Sequence, residues 1–106
     1  MSLIDIENIE QKELIPGYKV RFVHSDNMTL AFWDIKAGYS LPKHKHEHEQ
    51  ISLVTEGEFE LTVDNKAYIL KPGKLFIIPS NAYHSGKAIT DCLITDTFWP
   101  LREDYQ

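Results

Sequence analysis

The chain has 106 residues, and 11 basic against 16 acidic side chains leave a formal charge of −5, which argues for one domain with one hydrophobic core and against a nucleic-acid or anionic-membrane surface. A composition of 42% hydrophobic and 25% charged residues is that of a globular protein, and no apolar run approaches the roughly 18 residues of a membrane span. The lone Cys92, beside Leu93 and Ile94, excludes an intrachain disulfide and reads as a buried structural thiol. Asp5, Glu7, Glu10 and Glu13 are unlike a signal peptide, so a cytoplasmic protein is expected.

Residues 3–15 are compatible with a short helix or an opening edge strand; the alternation of Ile4 and Ile6 with Asp5 and Glu7 favours strand. Pro16-Gly17 ends that segment. Tyr18, Val20 and Phe22 alternate with Lys19, Arg21 and Val23 and predict a half-buried strand. Ser25-Asp26-Asn27 is a turn, residues 28–36 form another strand, and Ala37-Gly38 breaks it. Further on, residues 51–55 read as a strand, Glu56-Gly57 as a tight turn, and 58–63 as a strand that points Phe59, Leu61 and Val63 to one side. Asp64-Asn65, both tolerant of positive φ, predicts a hairpin into 66–70.

Lys71-Pro72-Gly73 turns the chain again. Leu75-Phe76-Ile77-Ile78 is apolar at every position and predicts a strand covered on both sides. Pro79-Ser80-Asn81 ends it, Tyr83-His84 follows, and residues 88–99 supply a last strand closed by Pro100. No segment carries a helical apolar period. Nine or ten short strands with frequent turn residues predict an all-β sandwich or barrel.

Between Gly38 and Gly57, three of the five histidines fall within five residues: His44, His46 and His48. Imidazole is the commonest neutral metal ligand near neutral pH. In a strand, side chains at i and i+2 share a face about 6.5 Å apart, so His44 and His46 can converge on one ion. A straight strand from 44 to 50 would spread its ligands over about 20 Å, so a third ligand requires a bend or bulge that re-aims Gln50, Glu49 or His48. The alternative is a solvated loop, charged through Lys43, Lys45, Glu47 and Glu49.

Two Gly-bounded segments with histidine, one on Gly38, His44, His46, Gln50 and Gly57 and the other on Gly73, Pro79, Asn81 and His84, resemble the paired motifs of the cupin superfamily. The resemblance implies a double-stranded β-helix, or jelly roll, with one divalent metal ion held by His44, His46, Gln50 and His84. It leaves His24 as a surface or packing residue. Two positions depart from the pattern. Asn81 replaces a glycine, and asparagine is the non-glycine residue best suited to a left-handed turn. Gln50 replaces the usual Glu, which leaves the ion its full +2 charge, a stronger Lewis acid held less tightly.

The run D-T-F-W-P-L-R-E-D-Y, Asp96 to Tyr105, together with H-x-H-x-H-E-Q-I-S, is similar to small single-domain cupins of pectin and alginate breakdown that linearise 4,5-unsaturated uronates. That similarity implies an Asp, a Phe two residues later and an Arg six residues later at a metal cavity, spacings that Asp96, Phe98 and Arg102 keep. Arg102 is then the carboxylate-binding residue, Asp96 the proton-transfer group and Phe98 part of the substrate wall. Plainer roles exist: Arg102 paired at the surface with Glu103 or Asp104, and Asp96 satisfied at a strand end.

Three imidazoles and an amide accept nickel, zinc, manganese, iron or cobalt. The implied ligand is a small sugar acid, and the implied assembly is a homodimer formed through Tyr18, Val20 and Phe22 as an edge strand. Competing readings are a cupin dioxygenase, a sugar isomerase, or a non-catalytic sugar-sensing module.

Overall fold

A computed structural model describes residues 2–106. It contains ten strands: β1 (Lys12–Ile15), β2 (Tyr18–His24), β3 (Thr29–Ile35), β4 (Ser40–His44), β5 (Glu49–Glu56), β6 (Phe59–Val63), β7 (Lys66–Leu70), β8 (Leu75–Ile78), β9 (His84–Ala88) and β10 (Cys92–Trp99). They form two antiparallel sheets, one ordered β1-β2-β3-β10-β5-β8 and the other β4-β9-β6-β7. This is the expected all-β jelly roll. Among the described residues, no helix is long and apolar enough to cross a membrane.

Period-two alternation builds the core. β6 buries Phe59, Leu61 and Val63, and these meet Tyr18, Ile35, Val54, Ile78 and Ile94 from the larger sheet in one cluster. The β6–β7 hairpin turns through Asp64 and Asn65 at φ 47° and 68°, as the sequence predicts. Gly57 sits at φ 82°, where a Cβ would also strike the Asp91 carbonyl, so β5 can enter its turn only through glycine. Cys92 is a buried free thiol that donates to the Glu58 and Thr90 carbonyls, as expected of a structural cysteine.

Four sequence expectations are corrected. Residues 3–15 hold a 3-10 turn at Ile6–Asn8, capped by the Asp5 side chain, before the short β1. Tyr18, Val20 and Phe22 do not form an edge: β2 pairs with β1 on one side and β3 on the other, and Tyr18 and Val20 are core residues. Residues 88–99 are not one strand, because Ala88 ends β9 and Cys92 begins β10 in the other sheet. Finally, β8 is covered on one side only. Phe76 and Ile78 face inward, while Leu75 and Ile77 are exposed at the sheet's edge.

Candidate metal centre and its cavity

The histidine segment works as a crossing between sheets. His44 ends β4 in the four-stranded sheet, residues 45–48 leave regular structure, and β5 starts at Glu49 in the six-stranded sheet. This is the bend that a third ligand requires, and it turns Gln50 inward while Glu49 stays exposed. The second motif braces it. Asn81, left-handed at φ 64°, donates its backbone N–H to the His46 carbonyl (2.8 Å), and the Ser80 hydroxyl donates to the Glu47 carbonyl (2.6 Å). His84 then opens β9, in register with His44.

His44, His46 and His84 bring one ligand atom each within 4.8 Å of one another. Their tautomers are set by the backbone: the Nδ1 groups face the carbonyls of Pro42 (2.9 Å), His48 (2.9 Å) and Ala82 (3.0 Å), acceptors that require N–H at each Nδ1. Every neutral ring therefore presents a bare Nε2. Burial, reinforced by the nearby positive charge of Arg102 and by His84, holds His46 down to about 4, so it is neutral at pH 7. Burial lowers His84 as well. His46 Nε2 lies 3.0 Å from Gln50 Oε1, two acceptors face to face with no proton between them. A shared cation resolves that contact, and three Nε2 atoms with a neutral carboxamide oxygen fit a divalent ion.

The Gln50 amide nitrogen donates to Ser52 Oγ (2.9 Å), and the Ser52 hydroxyl donates to Asp96 Oδ1 (2.6 Å), a buried chain from the imidazole cluster to a carboxyl group. Burial pushes Asp96 up to about 6, against the hydrogen bond from Ser52 and the charge of Arg102.

Arg102 is buried, with Phe98 and Tyr105 rings 4.7 Å and 4.1 Å from its guanidinium carbon. Its Nε and Nη2 donate to the two carboxylate oxygens of Asp104 (2.9 and 2.7 Å), leaving Nη1 with no hydrogen-bond partner among the described residues. Hydrogen bonding from Arg102 holds the Asp104 carboxyl below its ordinary range. The pairing anticipated as a surface contact thus exists, but on an arginine facing inward. Its backbone N–H is held by Thr29 Oγ1 (3.0 Å), which also contacts His24 Nδ1 (2.9 Å), a packing role for that histidine.

All of the sequence-predicted site residues line one cavity: His44, His46, Gln50, His84, Asp96, Phe98 and Arg102. His48 lies outside the cluster with its Nδ1 buried and unpartnered. Sequence reasoning does not single out Ser52 or Trp33, and it names Asp104 only as a surface partner of Arg102. Ser52 carries a legible signal, a polar residue at the inward parity of β5 two places after Gln50. Trp33 lines the cavity with its indole N–H buried beside the Asp96 carboxyl, whose ionised form it favours without a well-formed hydrogen bond, and only the fold shows it.

The Cupin domain family model matches residues 31–98. The chain is 30% identical over 97 residues to the pectin degradation protein KdgF of Dickeya dadantii, covering 89% of this chain and 88% of that one. Its fold is similar to KdgF from Halomonas sp. at TM-score 0.94 and 27% identity, covering 100% and 99% of the two chains. It is also similar to an RmlC-like cupin from Shewanella frigidimarina at TM-score 0.89 and 30% identity, covering 94% and 91%.

Proposed function

The chain belongs to the cupin family, and from that premise we propose that it is a metal-dependent enzyme of sugar-acid breakdown that opens 4,5-unsaturated uronate monomers to linear keto acids. The observation that carries this reading is a single cavity lined by a three-imidazole cluster, a buried carboxyl group and a guanidinium. Similarity to two KdgF proteins, one of them named for pectin degradation, supports the substrate class.

Opening such a uronate is an isomerisation. A proton leaves the anomeric hydroxyl as the bond from C1 to the ring oxygen breaks, and a proton reaches C4, leaving an aldehyde and a keto acid. A divalent ion on His44, His46, Gln50 and His84 supplies Lewis acidity toward a substrate oxygen when bound. The chain itself supplies the remainder. The free edge of Arg102 grips the substrate carboxylate through parallel N–H donors, with its guanidinium packed against the Phe98 and Tyr105 rings. Asp96, poised near 6 with Oδ1 held by Ser52, takes and returns the proton. The unbonded Trp33 N–H donates to a ring hydroxyl.

The test follows the ultraviolet absorbance of the conjugated enol ether in an unsaturated uronate monomer. Wild type is expected to consume it, Asp96→Asn to lose turnover, and Arg102→Lys to raise KM. A metal-loaded wild type that leaves the absorbance unchanged would contradict the proposal.

A further inference from the structure

Backbone geometry stacks Gln50, Ser52 and Asp96 in a line: Gln50 and Ser52 share the inward face of β5 two residues apart, and Ser52 sits directly opposite Asp96 in the β5–β10 register. A glutamine in that place has two ends of nearly the same shape and opposite character. Its Oε1 can coordinate a cation, whereas its Nε2 carries only N–H donors, which a cation repels. Turned round, the amide would also donate an N–H to the bare Nε2 of His46, which lies 3.0 Å from Oε1, and so occupy the lone pair that a metal needs. A glutamate at this position would face no such choice, since both of its ends are oxygen. The departure from the usual cupin pattern therefore creates a requirement: a neighbour must hold the amide the right way round.

We propose that Ser52 is the positioning residue that fixes Gln50 with its oxygen toward the imidazoles, a role that rests on the metal-centre reading above. The Ser52 hydroxyl has a single proton, and the Asp96 carboxylate, 2.6 Å away, takes it. Ser52 then meets Gln50 only with a lone pair. Of the two amide ends only the nitrogen can use that lone pair, and it does so at 2.9 Å. The polarity of the chain is set from its far end: carboxylate, hydroxyl, amide N–H, and last an amide oxygen beside His46. Gln50, Ser52 and Asp96 are 7%, 6% and 7% exposed, so bulk solvent offers the amide little alternative to Ser52. Groups that orient a metal ligand from behind usually lower metal affinity by about 10–100-fold when they are lost. Ser52 acts on the metal through Gln50 and needs no contact with substrate.

Cobalt(II) affinity, read by competition with a chelator and by the visible absorption of the bound ion, tests the proposal without any substrate. Wild type is expected to bind one ion per chain, and Ser52→Ala to bind it about 10–100-fold more weakly. Because alanine leaves a gap behind Gln50, Ser52→Thr and Ser52→Val are also compared with each other. They share one shape and only threonine keeps the hydroxyl, so the valine variant is expected to be the weaker binder by at least about tenfold. The cost is also expected to depend on residue 50. In Gln50→Glu, where both ends are oxygen, adding Ser52→Ala is expected to change affinity by less than about threefold. A wild type that takes up no cobalt overturns the metal-centre reading and this role with it. A wild type that binds cobalt overturns the role of Ser52 alone if Ser52→Ala binds as tightly, if the threonine and valine variants bind alike, or if the alanine cost is the same in both backgrounds.

Discussion

Ile94 and Asp96 sit two residues apart on the same face of β10, and both line the cavity, Ile94 on its apolar wall and Asp96 on its polar wall. Around Ile94 the space between the sheets is lined by apolar side chains, in one cluster with Val54, Phe59, Leu61 and Cys92. Around Asp96 it opens into Ser52, Gln50, Arg102 and the three imidazoles. β5 makes the same change in reverse, from Gln50 and Ser52 to Val54. The lesson is a division of labour along shared strands: the dry end stabilises the jelly roll, while the polar end carries charge and desolvated groups at a cost in stability.

The sharpest way to break the comparison is to truncate each side in turn. Ile94→Ala is expected to cost about 2–5 kcal/mol in chemical denaturation, with metal stoichiometry unchanged. Asp96→Asn is expected to act with the opposite sign. A carboxyl held near 6 against an ordinary 3.8 penalises the folded protein once it ionises, so the variant, measured metal-free at pH 8, gains up to about 3 kcal/mol while losing turnover by at least about 100-fold. A destabilised Asp96→Asn would contradict the strained polar end.

The pH dependence of the metal-free protein sharpens the contrast. Asp96, raised in the fold, contributes stability that is complete below its unfolded value and is lost as pH rises through about 6. His46, depressed to about 4, contributes stability present above its unfolded value and lost as pH falls toward 4. The two oppose each other across the same window. His84 and Asp104, both lowered in the fold, add to the acid-side loss, so thermal stability of wild type is expected to fall gently toward acid and that of Asp96→Asn more steeply; parallel profiles would refute the coupling. The smallest effect belongs to the outer support of Arg102. Asp104→Asn is expected to raise KM about tenfold with kcat nearly unchanged, since it frees the guanidinium without touching the proton-transfer group. Steady-state kinetics showing the reverse split would reassign Asp104.

Much of this was legible in the residues themselves. Alternation at Phe59, Leu61 and Val63 and the pair Asp64-Asn65 predict a half-buried strand and its turn, because a pleated strand with one buried face leaves no other pattern. The need for a bend after His46 follows from strand rise alone. Other features depend on which strands become neighbours. Leu75 and Ile77 look like core residues of a doubly covered strand, since an apolar run has the same composition whether its second face meets the protein's own core or the solvent. Tyr18, Val20 and Phe22 read as an edge because the alternation in residues 3–15 falls on Ile4 to Glu7, whereas the strand that pairs outside them is Lys12–Ile15. Trp33 reaches the site through tertiary contact, which local spacing does not encode, whereas Asp104 lies two residues from Arg102 and its pairing was legible as the plainer role.

The central claim is that imidazoles from β4, β9 and the crossing between sheets share one cation with Gln50. Anomalous-difference crystallography of the metal-loaded protein tests it most directly. The account predicts a single ion per chain at about 2.0–2.2 Å from Nε2 of His44, His46 and His84, with Gln50 Oε1 completing the set. An ion bound elsewhere, or none among these four side chains, would contradict it.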